Sequence, residues 1–169
     1  MPFKSNGIVI NFFLFLSLTF IIDAAVPADA GETPLVFIPG IKGSMLVDTD
    51  KKVRWLTLFE SLGFFTPQLS LPIVWSGDQQ GQDSLHCESP LESVGDILLL
   101  KKDIYGGALR QWRESGRQLY SFCYDWRRDN LETALLFQKF LEKIKSSHGD
   151  RPAQVVAHSM GGLIAMQFY

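Results

Sequence analysis

Apolar and polar positions alternate along the chain in a way that predicts strands and helices in turn. Four consecutive apolar residues, Leu35–Ile38, lie between prolines, and such a run is typical of a strand buried on both faces of a parallel sheet. Residues 117–126 and residues 153–157 predict two further strands. Apolar residues at helical spacing predict one helix before each of these two strands and another after the last one.

The two inner helices are predicted from their apolar spacing and from the residues at their ends. In the first, apolar positions recur at helical spacing over residues 104–112, and Gly116 is a natural stop. In the second, Asn130 is the expected cap and Gly149 the expected end. Its predicted buried stripe consists of Leu131, Leu135, Phe137, Leu141 and Ile144. Strands and helices that alternate three times predict an α/β fold with a parallel sheet and flanking helices.

A segment of about 48–94 interrupts this alternation. It is dense in aromatic and aliphatic residues, but Pro67, Pro72 and Pro90 break it and neither period persists. We predict an irregular, lid-like insertion, because long segments of this kind in compact domains often cover a functional site. Its most apolar part, residues 59–75, is hypothesised to cover a binding cleft and to touch lipid surfaces. Packing against the sheet is the alternative.

The N-terminus has the features of a secretory signal peptide. An uncharged apolar run over residues 7–22 follows Lys4, and the small residues Ala28 and Ala30 suit a signal peptidase. We predict a signal peptide over residues 1–30 and a mature domain over residues 31–169. An uncleaved membrane anchor formed by residues 7–22 is the alternative. In both cases the rest of the chain is expected outside the cytoplasm.

Composition and charge narrow the function classes. The chain is 46% hydrophobic and 20% charged, with a formal net charge of −2. It has no Lys/Arg stripe, so no nucleic-acid partner is expected. Cys87 and Cys123 could form a disulfide in an oxidising compartment, or Cys123 could be a buried free thiol, and both remain open. Neither has a metal-ligand spacing, and no metal or other cofactor is expected.

The stretch "VVAHSMGGLIAM" carries the candidate chemistry, with Ser159 between the last strand and the last helix. A sharp strand-to-helix turn lifts a serine hydroxyl clear of the backbone, and it needs small residues two positions before and two after the serine. Ala157 and Gly161 occupy these positions, so the stretch follows G-x-S-x-G with alanine for the first glycine. Gly162 gives the helix room to pack. Ser159 is therefore the candidate nucleophile.

Two backbone positions are candidates for stabilising the oxyanion of an acyl transfer. The N–H of Met160 lies at the start of the elbow helix. The second donor is expected from the early turn "PGIKG", where Gly40 permits close approach and Ile41 or Lys42 supplies the N–H. The Lys42 side chain is expected to be solvated. His158 is expected to be structural, because neighbours on a turn project apart.

The chain resembles the lecithin:cholesterol acyltransferase-like family of the α/β-hydrolase superfamily. The resemblance rests on "VFIPGIKGSML", "YDWRRD" and "AHSMGG", in this order. It implies that Ser159 takes an acyl chain from a phospholipid or related ester and passes it to a hydroxyl acceptor or to water. It also implies that Met160 and the "PGIKG" turn hold the oxyanion. Asp125 and Arg127 are interpreted as structural residues that fix the loop beside the site.

Three functional hypotheses remain. The first is an exported serine acyltransferase or phospholipase, with a lipid ester and an acyl acceptor as partners and with possible contact to a membrane or lipid surface. The second is a neutral lipase or other carboxylesterase, and the third is a non-catalytic, truncated fragment. In this fold the acid and the histidine follow the nucleophile, and all three histidines precede Ser159. We therefore expect the 169 residues alone to be inactive and the strand at 153–157 to lack its outer neighbour.

Overall fold

The structure, a computed structural model, describes residues 10–12, 33–57, 69–70, 85–94 and 102–167. Within these ranges it contains nine strands and three helices. The strands are β1 (Ile10–Phe12), β2 (Leu35–Ile38), β3 (Ser44–Val47), β4 (Val53–Trp55), β5 (His86–Pro90), β6 (Ser93–Val94), β7 (Lys102–Asp103), β8 (Leu119–Ser121) and β9 (Gln154–Ala157). The helices are α1 (Gly106–Glu114), α2 (Asn130–Ser147) and α3 (Met160–Met166).

A parallel sheet with the order β1-β9-β2-β8 forms the centre of the fold. Strand β2 pairs in parallel with β8 on one side and with β9 on the other, and all its residues are buried. This confirms the strand predicted from the apolar run. The strand predicted over residues 117–126 is observed only as β8, Leu119–Ser121. Beyond β8, the backbone N–H of Phe122 still bonds to the Phe37 carbonyl of β2, and the described residues after it make no further ladder bond to β2.

Helices cover both faces of the sheet, as expected for an α/β-hydrolase-like fold. Val36 and Ile38 of β2 lie on one face and pack in a core shared with α2 and α3. Phe37 points the other way, because side chains alternate along a strand. Its ring lies 4.9 Å from that of Tyr105, the N-cap residue of α1, and 5.7 Å from that of Trp112. The sheet is thus the middle of three layers.

Helix α2 differs from its prediction in its cap and in its buried face. The cap is Asp129 rather than Asn130, and the Asp129 carboxylate accepts hydrogen bonds from the N–H groups of the first turn. Leu131 and Leu135 are wrongly predicted as buried, since their side chains are 65% and 63% exposed. The buried positions are Thr133, Ala134, Phe137, Leu141 and Ile144. Their three- and four-residue spacing gives one continuous stripe that excludes the other leucines.

The insertion after β2 contains more regular structure than predicted. Strand β3 pairs antiparallel with β4 and with β5, and β6 pairs with β7. A disulfide joins Cys87 of β5 to Cys123, two residues after β8, with 5.8 Å between the Cα atoms. It links the small antiparallel sheet to the edge of the central sheet. The predicted lid at residues 59–75 lies outside the described residues, apart from residues 69–70.

Part of the predicted signal segment lies in the central sheet. Strand β1 pairs in parallel with β9, with Ile10 opposite Val155 and Phe12 opposite Ala157. The expectation that the outer edge of β9 is free is therefore wrong, because β1 supplies its hydrogen-bonding partner. The other residues of the predicted signal peptide lie outside the described ranges. No helix in the described part of the chain has both the length and the apolar character to cross a membrane.

Candidate active site

Ser159 lies in a strained turn between β9 and α3. Its backbone has φ 51° and ψ −123°, a combination that non-glycine residues rarely adopt and that costs about 1–3 kcal/mol. The N–H groups of Gly161 and Gly162 close the turn by bonding to the carbonyls of His158 and Ser159, at 2.9 and 2.8 Å. The serine itself is exposed. Strand, strained serine and helix have the arrangement of a nucleophile elbow.

Small residues around Ser159 let the elbow pack against the end of β2. A Cβ on Gly161 would lie 2.6 Å from the Pro39 carbonyl oxygen and 2.7 Å from Ile38 Cγ2. No real Cβ tolerates such distances, so glycine is required here. Ala157 is buried, and the turn accommodates its methyl group in place of the usual first glycine. Gly162 is also buried, in the first turn of α3.

The turn after β2 lies directly against the elbow. A Cβ on Gly40 would come within 2.9 Å of both Ser159 Cβ and His158 Nδ1. The backbone can approach the serine this closely only because residue 40 has no side chain. The structure therefore brings together the serine and the "PGIKG" turn, two features that lie more than a hundred positions apart in the sequence.

Three backbone N–H groups remain available beside the serine. The N–H of Gly43 bonds to the Gly40 carbonyl at 3.0 Å and closes the turn around Ile41 and Lys42. Among the described residues, none accepts a hydrogen bond from the N–H of Ile41, Lys42 or Met160. Each of the three candidate oxyanion donors thus keeps its hydrogen for another acceptor.

Lys42 is exposed, as expected of a solvated side chain, but it also contacts an aromatic ring. Its φ is 60°, and its carbonyl accepts a hydrogen bond from the indole N–H of Trp55 at 3.0 Å. The ammonium lies 5.4 Å from the centre of the Trp55 ring, within the range of a cation–π contact. The Trp55 ring in turn packs edge-on against Trp126. The Lys42 ammonium therefore contacts the Trp55 ring, which is itself packed against Trp126.

Two tyrosine hydroxyls bond to the start of the same turn. The Tyr105 hydroxyl accepts the N–H of Gly40 at 3.1 Å and lies 2.8 Å from His158 Nδ1. The Tyr124 hydroxyl donates to the Pro39 carbonyl at 2.9 Å. Burial raises the pKa of both hydroxyls. Tyr124 belongs to the "YDWRRD" motif, but no local pattern reveals the partners of either tyrosine, which lie 65 and 85 residues away.

Asp125 and Arg127 form a buried ion pair at the end of β8. Arg127 Nη2 lies 2.6 Å from Asp125 Oδ2, and Nε lies 2.8 Å from Oδ1. Both side chains are less than a tenth exposed. Arg127 Nη1 also donates to the Leu69 carbonyl in the insertion, and Trp126 Nε1 donates to the Ser44 carbonyl in β3. The "YDWR" stretch thus contacts the insertion and the first turn together.

Each of the three histidines contacts other groups of the described chain. His158 Nδ1 contacts Tyr105 on the α1 side of the sheet. His148 caps the end of α2, where it bonds to Gln118 and to the Ile144 carbonyl. His86 begins β5 and lies 4.0 Å from Glu88. Within the described ranges, no group of three or more His, Cys, Asp or Glu side chains is arranged to hold a metal ion.

Comparison with known proteins shows two similarities. The family model for lecithin:cholesterol acyltransferase matches residues 111–169. Lecithin-cholesterol acyltransferase-like 4 of Arabidopsis thaliana is 26% identical over an alignment length of 164 residues. The alignment covers 83% of this chain. Both matches show that the chain is similar to lecithin:cholesterol acyltransferase-like proteins. The chain spans 31% of the length of the Arabidopsis relative. No solved structure matches the chain.

Proposed function

We propose that this chain carries the nucleophile of an exported serine acyltransferase or phospholipase that acts on lipid esters. The observation that carries the proposal is the strained, exposed Ser159 at the end of β9, against which Gly40 packs. The similarity to lecithin:cholesterol acyltransferase-like proteins supports the lipid-ester class of substrate. The acyl donor is proposed to be a phospholipid or a related ester, and the acceptor a hydroxyl compound or water.

In the proposed reaction, Ser159 Oγ attacks the acyl carbonyl carbon while a base takes its proton. The carbonyl oxygen becomes an oxyanion, which accepts hydrogen bonds from the N–H of Met160 and from that of Ile41 or Lys42. The bond to the leaving alcohol breaks, and the proton returns to this alcohol. The resulting acyl-Ser159 ester is then attacked by the acceptor hydroxyl or by water, which restores the serine.

The base of this reaction is proposed to follow the elbow in the chain, as in other α/β-hydrolases. The placement of the three histidines supports this view. His158 is engaged by Tyr105, and His148 lies at the end of α2, where it bonds to Gln118, the residue before β8. A serine without its base retains only the catalysis due to oxyanion stabilisation and binding. The 169 residues alone are therefore expected to be inactive.

Export is proposed from the signal-like segment and is supported by the disulfide. Cys87 and Cys123 are bridged, and structural disulfides persist mainly in oxidising compartments. Sequencing the N-terminus of the protein secreted by its native host tests this proposal, with Gly31 as the expected first residue. Cleavage there would remove β1 from the outer edge of β9. A membrane-bound product that still begins at Met1 would instead favour the anchor formed by residues 7–22.

The substitution Ser159→Ala tests the catalytic proposal. In the full-length protein, meaning the chain together with the proposed base that follows the elbow, we expect loss of nearly all hydrolysis of a p-nitrophenyl ester. The loss should be about 10³-fold or more, because the covalent route is lost. Incubation with a phospholipid should give an acyl mass increment on the peptide that contains Ser159. The matched control is Ser115→Ala, which removes an exposed hydroxyl at the end of α1 and should leave the rate unchanged.

The products distinguish the three hypotheses. Acyl transfer from phospholipid to an added alcohol supports the acyltransferase, and release of free fatty acid from phospholipid supports the phospholipase. Cleavage of triacylglycerol with no action on phospholipid would favour a neutral lipase. A full-length protein with no Ser159-dependent turnover on any of these esters would contradict the proposal and favour the non-catalytic hypothesis.

A further inference from the structure

The peptide unit between Pro39 and Gly40 is held at both of its polar ends by tyrosine hydroxyls. Its carbonyl accepts from Tyr124 at 2.9 Å, and its N–H donates to Tyr105 at 3.1 Å. A peptide unit is planar, so two opposed hydrogen bonds fix the rotation of this plane. The next peptide N–H along the chain belongs to Ile41, a candidate oxyanion donor, and its direction depends on that rotation.

Tyr105 also connects this turn to the elbow. Its hydroxyl accepts the Gly40 N–H and lies 2.8 Å from Nδ1 of His158, the residue before the nucleophile. Its ring packs against Phe37 of β2 at 4.9 Å, and against the His158 ring at 5.6 Å. One oxygen atom thus contacts both the backbone of the turn and the side chain of the residue before Ser159. The two segments come from different strands, and no covalent bond fixes their spacing.

We propose that Tyr105 is a positioning residue, which sets the distance and orientation of the oxyanion turn relative to Ser159 through its bonds to Gly40 and His158. Tyr124 holds the other end of the same peptide unit. This inference rests on the proposed function, since it concerns the geometry of that acyl transfer. Tyr105 touches no reacting atom.

The hydrogen-bond inventory of the turn agrees with this role. The Gly40 N–H is already used by Tyr105, so it cannot serve the oxyanion, and the N–H groups of Ile41 and Lys42 are left for that purpose. If Tyr105 donates its own proton to His158 Nδ1, this ring nitrogen is the acceptor. The Tyr105 hydroxyl then accepts a hydrogen bond from the Gly40 N–H and donates one to His158 Nδ1.

The variant Tyr105→Phe tests the proposal, because it removes one oxygen atom and keeps the ring. In the full-length protein we expect kcat for a p-nitrophenyl ester to fall about tenfold, less than the loss of an oxyanion donor itself. KM should stay within about twofold, because the turn acts on the transition state rather than on ground-state binding. Tyr124→Phe should also lower kcat. Tyr120→Phe is the matched control, since the Tyr120 hydroxyl bonds to Gln118 and His148 and to no other residue that the structure describes.

The melting temperatures of the variants and the ¹⁵N resonance of His158 Nδ1 provide readouts that are independent of turnover. The resonance should shift in Tyr105→Phe and stay in place in Tyr120→Phe. A kcat loss in Tyr105→Phe no greater than in Tyr120→Phe, with Ser159→Ala inactive, would overturn the positioning role and leave the proposed function intact. An unshifted Nδ1 resonance would also overturn it. A fully active Ser159→Ala variant would overturn the proposed function, and the positioning role with it.

Discussion

At the scale of single residues, Gly161 has no room for a larger side chain. The variant Gly161→Ala places a methyl group 2.6 Å from the Pro39 carbonyl oxygen, and backbone atoms cannot move away as a flexible side chain can. We expect the free energy of unfolding to fall by about 1–3 kcal/mol, as is typical of overpacking. Urea unfolding measures this change.

Gly107→Ala is the matched control for Gly161→Ala. Gly107 is exposed in the first turn of α1, and the nearest atom to a new Cβ is a carboxylate oxygen of Asp103 at 3.4 Å. Because alanine favours helix over glycine by up to about 1 kcal/mol, this variant should be as stable as the wild type or more stable. Equal destabilisation by the two substitutions would contradict the close contact at the elbow.

Asp48 makes the stability of the β3–β4 hairpin depend on pH. Its carboxylate accepts the Arg54 Nε–H at 2.8 Å and the N–H groups of Asp50 and Lys52, each at 3.0 Å. The hydrogen bond from Arg54 is the largest cause that lowers the pKa of Asp48 below its ordinary 3.8. Below pH 3.8 the unfolded chain therefore binds more protons than the folded one, and the contribution of Asp48 to stability is lost as the pH falls.

This dependence is measured by following the melting temperature of the wild type and of Asp48→Asn from pH 7 to pH 3. The wild type should be more stable at pH 7, and the gap should narrow as the pH falls below 3.8. Asp50→Asn, in the same turn, is the control and should show a much smaller gap at pH 7. A gap between wild type and Asp48→Asn that stays constant over this range would contradict the assignment.

At the scale of elements, the apolar side chains of helix α2 are expected to contribute unequally to the stability of the fold. Phe137 is 1% exposed and its ring packs 5.0 Å from that of Phe122, whereas Leu135 is 63% exposed. Phe137→Ala should lower the free energy of unfolding by about 3–5 kcal/mol, and Leu135→Ala by less than about 0.5 kcal/mol. Chemical denaturation of the two variants measures both. Similar losses would restore the stripe predicted from the sequence.

The elements predicted well are those whose signals are local. The run Leu35–Ile38 is apolar at every position, and the small residues around Ser159 are required within one turn, so strand and elbow follow from a few neighbouring residues. In α2 more leucines lie at helical spacing than one face of the helix can bury. Packing against the sheet determines which face is buried, and the local sequence does not reveal this. Strands β3 and β5 escaped prediction because their register depends on pairing between segments about forty residues apart.

In the candidate site, too, some features follow from neighbouring residues and others depend on contacts between distant segments. Ser159, Met160 and Gly161 are neighbours in sequence, and their pattern alone predicted their placement. The contact of Gly40 with Ser159 was expected from the order of elements in the fold. The bonds of Tyr105 and Tyr124 to the Pro39–Gly40 peptide arise only when three segments of the chain come together, and therefore no motif could reveal them.

At the scale of the whole molecule, the disulfide is the covalent link between the insertion and the central sheet. Cys87 lies in β5, and Cys123 directly precedes Tyr124, whose hydroxyl bonds to Pro39 beside the elbow. The bridge closes a loop with a sequence separation of 36, and cross-links of this kind contribute about 2–4 kcal/mol. Its loss should therefore loosen both the small sheet and the segment that carries Tyr124.

We expect the double variant Cys87→Ser/Cys123→Ser to unfold at lower urea concentration than the oxidised wild type, by an amount that corresponds to about 2–4 kcal/mol. The wild type treated with a phosphine reductant should become similarly less stable, because reduction frees the same loop. The double variant is the control for the reductant itself and should not respond to it. Since Cys123 leads into Tyr124, hydrogen exchange at residues 122–126 should also accelerate on reduction. Unchanged stability and exchange after complete reduction would mean that hydrogen bonds alone, such as that of Trp126 to Ser44, hold the insertion to the sheet.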